Sequence, residues 1–147
     1  MESRIRPTIN ERIVKITTGD AHSLVLMASG RLYTFGYNNK GQCGLGDTKA
    51  VNIACPVEQV LEEADLDTPS EAPKWISIAG GRDHSLAVCD SGTVYATGNN
   101  EKGALGLPKM DYLPWFSKVH TVQSAKCSRV FAGVDHSFIL LNEITPK

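Results

Sequence analysis

The sequence predicts an all-β protein built of repeated four-stranded antiparallel sheets. Two observations carry that prediction. The motif G-x-x-H-S occurs three times, as Gly19 to Ser23, Gly81 to Ser85 and Gly133 to Ser137, with the histidines His22, His84 and His136 spaced 62 and 52 residues apart. Counted forward from the first two histidines without a gap, residues 22–46 match residues 84–108 at 12 of 25 positions, including Ser29/Ser91, Gly30/Gly92, Tyr33/Tyr95, Gly36/Gly98, Asn38/Asn100 and Gly44/Gly106. A fixed long period decides the fold class before any single element is assigned.

Each element follows in order. Ile13-Val14-Lys15-Ile16-Thr17 reads as a first strand, with Trp75-Ile76-Ser77-Ile78-Ala79 and Val130-Phe131-Ala132 as its counterparts. Ser23 to Ala28 and Ser85 to Cys89 are short apolar runs. Ser29-Gly30 and Ser91-Gly92 then turn the chain, and Arg31 to Phe35 and Thr93 to Thr97 resume a β-rich pattern, which is a hairpin signal. The stretches Gly36 to Gly46 and Gly98 to Gly106 are too broken for helix or strand and read as ordered loops. Val57 to Val60 and the neighbourhood of Phe116 to Val122 are the candidates for a fourth strand. A short helical turn over Val57 to Ala64 is a further expectation. Residues 61–73 hold Glu62, Glu63, Asp65, Asp67 and Glu71 together with two prolines, and read as a solvated acidic insertion that lengthens the first period.

Four strands at this period suggest propeller blades stacked face to face. The unit boundaries expected are about 13–60 and 75–122, with a partial third unit at 128–141, the whole of 1–147 forming one partial propeller. At 52–62 residues per unit, 147 residues hold about two and a half blades, whereas ordinary propellers close with four or more. The ring is therefore expected to be incomplete. The third unit lacks its hairpin glycine, because position 144 is Ile144. The expected complement is a protein partner or further copies of the chain.

The signature Gly-x-x-His-Ser, followed in register by Gly, Tyr and Gly-x-Asn-x-x-Gly-x-x-Gly-Leu, resembles the repeats of the regulator of chromosome condensation family. The resemblance is strong over roughly 13–46 and 75–107 and partial over 128–141. It implies a β-propeller, and it suggests guanine-nucleotide exchange on a small GTPase as one activity. No residue here matches the wedge-like loop that exchange requires.

Composition narrows the function. Fifteen basic and 16 acidic residues give a net charge of −1, and no run of Lys or Arg offers a footprint for nucleic acid or an anionic membrane. The longest apolar stretch, near Leu24 to Ala28, is far short of the ~20 residues of a membrane span. No secretory signal is recognisable, so the expected location is intracellular, cytoplasmic or nuclear. Cys43, Cys55, Cys89 and Cys127 have no C-x-x-C spacing and read as reduced thiols, Cys43 and Cys89 falling at apolar repeat positions.

Asp83-His84-Ser85 and Asp135-His136-Ser137 contain the letters of a hydrolytic triad. Neighbouring residues on a strand point to opposite faces, so an adjacent His and Ser cannot share a proton. The histidines are expected to hydrogen-bond backbone groups at a blade turn, and Gly19, Gly30, Gly36, Gly81, Gly92, Gly98 and Gly133 to complete the structural signature. Gly41 to Gly46 matches no phosphate-binding loop, and Asn38 and Asn100 are expected to adopt left-handed geometry or to bond the loop backbone. Neither cofactor nor metal is expected. The leading expectation is a non-enzymatic protein-binding or scaffold module, with Glu62, Glu63, Asp65, Asp67 and Glu71 as a partner-binding loop; the alternative is a guanine-nucleotide exchange factor.

Overall fold

The computed structural model describes residues 11–64, 68–107, 110–120 and 126–142. Strands β1 (Ile13–Thr18), β2 (His22–Met27), β3 (Leu32–Gly36) and β4 (Val51–Pro56) form the first antiparallel sheet, in that order. β5 (Gln59–Val60) and β6 (Ser70–Glu71) pair as a small ribbon. β7 (Trp75–Gly80), β8 (His84–Cys89), β9 (Val94–Asn99) and β10 (Tyr112–Lys118) repeat the first sheet, and β11 (Cys127–Ala132) pairs with β12 (Ser137–Leu141). The protein is all-β, and among the described residues its sheets do not close a ring.

The hairpins follow from the sequence pattern. Gly30 and Gly92 adopt φ of 87° and 85°, a region that a Cβ disfavours, and their amides bond the carbonyls of Met27 and Cys89 at 2.9 Å. The turns also tie successive sheets together. The carbonyl of Gly30 accepts from the amide of Trp75 at 2.8 Å, and that of Gly92 from Cys127 at 2.9 Å, so each first strand starts against the preceding hairpin.

The core lies between the sheets. Leu24, Leu26, Leu32, Val57 and Val60 of the first unit meet Trp75, Ile78, Ala87, Cys89, Tyr95 and Phe116 of the second. Trp75 meets Tyr95 edge-on at 5.3 Å and Phe116 at 5.7 Å. The next layer joins Leu86, Val88 and Val94 to Cys127 and Val130. Burying one such side chain contributes about 1.5–3 kcal/mol, so the interfaces between units supply most of the apolar stabilisation.

Two expectations are corrected. The fourth strands are β4 and β10, each beginning earlier than Val57 to Val60 and Phe116 to Val122 suggested. Val57 and Val60 are apolar because they are buried between sheets, not because they belong to the fourth strand. The helical turn over Val57 to Ala64 is also absent: Gln59–Val60 is extended, and Leu61 continues onto the second sheet through bonds of 2.9 Å to the main chain of Phe116 and Lys118. The part of the acidic insertion at Ser70–Glu71 is likewise paired, while Asp65 and Asp67 lie outside the described residues.

Candidate interaction surface

The G-x-x-H-S signature forms one device used twice. The Nε2 atom of His22 lies 2.8 Å from the Oγ of Ser85, and that of His84 lies 3.0 Å from the Oγ of Ser137. Each serine hydroxyl also lies 2.7 Å from a loop carbonyl, Gln42 for Ser85 and Ala104 for Ser137. A carbonyl only accepts, so the serine proton is committed to it and the imidazole must donate. The direction is therefore His Nε2–H to Ser Oγ–H to carbonyl, running from one unit to the next and back to the loop of the first.

This geometry adds to the expected role of the histidines, which is to hydrogen-bond backbone groups at a blade turn. His22 and His84 interact with the main chain of the following unit, at His84 and His136, and also bond its serine hydroxyl. It also explains why sequence reasoning missed the contact: His and Ser are adjacent in the chain and point to opposite faces, and only stacking of two units brings a His onto the next Ser. The polarity is wrong for nucleophile activation, because a catalytic base must receive the serine proton and here the imidazole donates its own. Burial first, and the neighbouring His84 second, pull His22 down to about 4, and burial also lowers His84.

The signature glycines make room for the rings. A Cβ on Gly81 would lie 2.1 Å from Cε1 of His84, one on Gly19 would lie 2.1 Å from Cε1 of His22, and one on Gly133 would lie 2.2 Å from Nε2 of His136. Gly36 and Gly98, with φ of 112° and 106°, would collide with the carbonyls of Ala21 and Asp83.

Loops complete the interface. Asn38 donates from Nδ2 to the carbonyls of Asp47 at 3.0 Å and Lys49 at 2.9 Å, while its Oδ1 accepts the amide of Cys43 at 2.9 Å. Asn100 accepts the amide of Leu105 at 3.1 Å in the same way. Of the two expectations for these residues the backbone bonding holds; positive φ is found at glycines only, among the described residues. Cys43 sits fully buried in the first loop, and burial pushes its thiol up to about 12, far from a reactive thiolate.

The acidic insertion is anchored where it can be described. Glu62 accepts the phenol of Tyr95 at 2.9 Å and approaches Lys118 at 3.8 Å; Glu63 lies 3.2 Å from His120. Glu71 is exposed on β6.

Among the described residues the two ends of the stack expose apolar side chains. Ile16, Ile78 and Val130 occupy one repeat position: the second and third are 0% and 1% exposed, the first 59%. Leu24, Leu86 and Phe138 occupy another: the first two are 0% and 2% exposed, the third 60%. The starting face therefore presents Ile13 and Ile16, and the finishing face Phe131, Phe138 and Leu140. His136 is also exposed there, with its ring edge-on to Phe138 at 5.2 Å. No helix among the described residues is long and apolar enough to cross a membrane.

Comparison with known proteins follows the repeat. Two family models, each described as the regulator of chromosome condensation (RCC1) repeat, match residues 29–88 and 91–140, and residues 13–42 and 75–104. The chain is 33% identical to a protein RCC2 homolog of Xenopus laevis, over 82% of this chain and 21% of that protein. It is 37% identical to the human X-linked retinitis pigmentosa GTPase regulator, over 67% of this chain and 9% of that one. Among solved structures it is similar to Prp20p of Saccharomyces cerevisiae, with a TM-score of 0.78 at 23% identity, covering 96% of this chain and 33% of that one. Human WBSCR16 gives 0.74 at 23% identity, over 92% and 32%. The chain thus spans about a fifth or less of these two curated relatives.

Proposed function

The chain belongs to the regulator of chromosome condensation (RCC1) repeat family, and from that premise we propose that it is a non-enzymatic protein-binding module whose end faces are its docking surfaces. One observation carries this reading. Side chains buried at both internal interfaces have counterparts at the ends that are half exposed or more, and an apolar surface of that kind marks an interaction site. The His–Ser pairs, which look like hydrolytic machinery in the sequence, are committed to holding units together. The acidic segment with Glu62, Glu63, Asp65, Asp67 and Glu71 is a secondary contact in this reading, and exposed charges of that kind contribute little each and weaken with salt. The proposed compartment is intracellular, cytoplasmic or nuclear.

The test places a photo-crosslinking residue at Phe138, at Ile16, or at exposed Asp90 on a hairpin turn. Protein crosslinked from the two faces and not from Asp90 is the expected outcome. Equal crosslinking from all three positions, or none from the faces, overturns the reading.

A second reading is regulation of a small GTPase, favoured by the 37% identity to a protein whose name describes it as a GTPase regulator. Its check is release of labelled nucleotide from a stoichiometric GTPase. Acceleration on adding the chain supports it, and an unchanged rate removes it.

A further inference from the structure

A cavity of about 770 Å³ lies between the first and second units beside the Ser29-Gly30 turn, walled by residues 29–32, 56–59 and 71–75. We propose that it is a binding site for an extended peptide segment of a partner protein that carries a Lys or Arg side chain, held with a main-chain carbonyl on Trp75 and the cationic group beside Glu58 and Glu71. These walls come from two adjoining units, so the site does not depend on what covers the ends of the stack.

The three walls are tied together by main-chain bonds. The amide of Val57 donates to the carbonyl of Leu32 at 2.8 Å, that of Trp75 to Gly30 at 2.8 Å, and that of Ala72 to Glu58 at 2.9 Å. A cleft already held in shape gives up little freedom when it binds. The features that build it are particular to this interface. Residues 57–74, which join β4 to β7 and carry the β5–β6 ribbon, supply most of two walls, whereas the shorter segment 119–126 joins β10 to β11. At the repeat position of Trp75 the next interface has Cys127.

Two observations say what the cavity takes. Trp75 is 2% exposed, and its buried Nε1–H has no acceptor. The Tyr95 and Phe116 rings pack the indole at 5.3 and 5.7 Å, which leaves the cavity as the side from which an acceptor can come. A buried donor is costly to leave unpaired, and a peptide carbonyl satisfies it. The rim supplies the charge preference. Glu58 and Glu71 are exposed, and among the described residues neither takes part in an ion pair. Arg31 lies 3.9 Å from Glu11, which leaves Lys74 as the one uncommitted cation of the lining against these two carboxylates. Leu32, Pro56, Val57, Ala72 and Pro73 give the aliphatic stem of a Lys or Arg an apolar wall to lie against. The volume falls within the ~300–1,000 Å³ of ordinary ligand sites and admits a short stretch of chain, not a folded domain.

The test titrates the full chain with a fluorescein-labelled, end-blocked peptide, Ala-Val-Lys-Val-Lys-Ala, beside a counterpart with Glu in place of Lys, and reads fluorescence anisotropy. The expected result is saturable binding of the Lys peptide in the high-micromolar range, about tenfold tighter than the Glu peptide. Glu58→Gln and Glu71→Gln each weaken it roughly two- to fivefold. Trp75→Phe keeps an aromatic ring and removes the donor, and weakens it about three- to tenfold. Circular dichroism checks that each variant keeps the parent fold. Unlabelled Lys peptide also shifts the indole Nε1 proton resonance of Trp75, identified by comparison with Trp115→Phe, so the site is reported even where Trp75→Phe does not fold. No binding of the Lys peptide at millimolar concentration overturns the proposal, as do equal affinities for the two peptides, binding indifferent to both Gln substitutions, or a Trp75 indole resonance unmoved at saturation. Crosslinking from Phe138 and Ile16 reports on the end faces alone, so the two readings fail independently.

Discussion

At Gly81 a methyl group has no place to go. The His84 ring lies where the Cβ would be, so Gly81→Ala forces the imidazole off Ser137, and we expect a loss of about 3 kcal/mol in denaturant unfolding. His84→Ala removes the donor and leaves the serine bonded to Ala104, so a smaller loss of about 1–3 kcal/mol is expected. The buried imidazoles also set a pH dependence. An unfolded imidazole titrates near 6.5 and folded His22 at about 4, so above 6.5 neither state carries the proton and stability is at its plateau. As pH falls from 6.5 toward 4 the unfolded chain takes up a proton that the fold refuses, and stability declines by about 3 kcal/mol across that window. His84 moves in the same direction; the hydrogen bonds to the main chain of His84 and His136 first, and then Asp20 beside His22 and Asp135 and Asp83 beside His84, partly oppose the shift. Urea midpoints measured across this range check the slope, which should flatten in His22→Gln. The recurrence of Gly, His and Ser was plain in the sequence, but the destination of the ring was not, because spacing along one strand says nothing about which residue the next sheet brings opposite it.

The loops between third and fourth strands owe their shape to single asparagines. Asn38→Ala leaves the buried amide of Cys43 without its acceptor and frees the carbonyls of Asp47 and Lys49, and we expect a loss of about 3 kcal/mol. The segment after β5 is held by the Tyr95 phenol on Glu62 and by Leu61 on the main chain of Phe116 and Lys118. Tyr95→Phe cuts the first tie only, so limited proteolysis should nick the segment near Glu63 sooner while the melting midpoint changes little. The first three strands of a unit were legible because alternating apolar runs flank a glycine turn. The fourth was not, since β4 is only partly buried and its sequence, Val-Asn-Ile-Ala-Cys-Pro, carries a weaker pattern than the buried valines that follow it. Glu62 looked like part of a solvated acidic run because the Tyr95 that receives it is 33 residues away.

Stacked repeats stabilise one another through nearest neighbours, so the whole molecule is a series of similar interfaces and its ends differ from its middle by what covers them. The incomplete ring was readable from length and period, because two and a half units cannot meet end to end. What the sequence could not show is which face of each strand points to the next unit, and so which repeat positions are buried in the stack and which are exposed. The account turns on the His–Ser relay being closed at both internal interfaces. The most direct measurement is the imidazole nitrogen and proton resonance spectrum of the intact chain at dilute concentration near neutral pH. The account predicts that His22 and His84 carry their proton on Nε2 and protect it from exchange with water. Protons on Nδ1 of His22 and His84, or rapid exchange there, would contradict it.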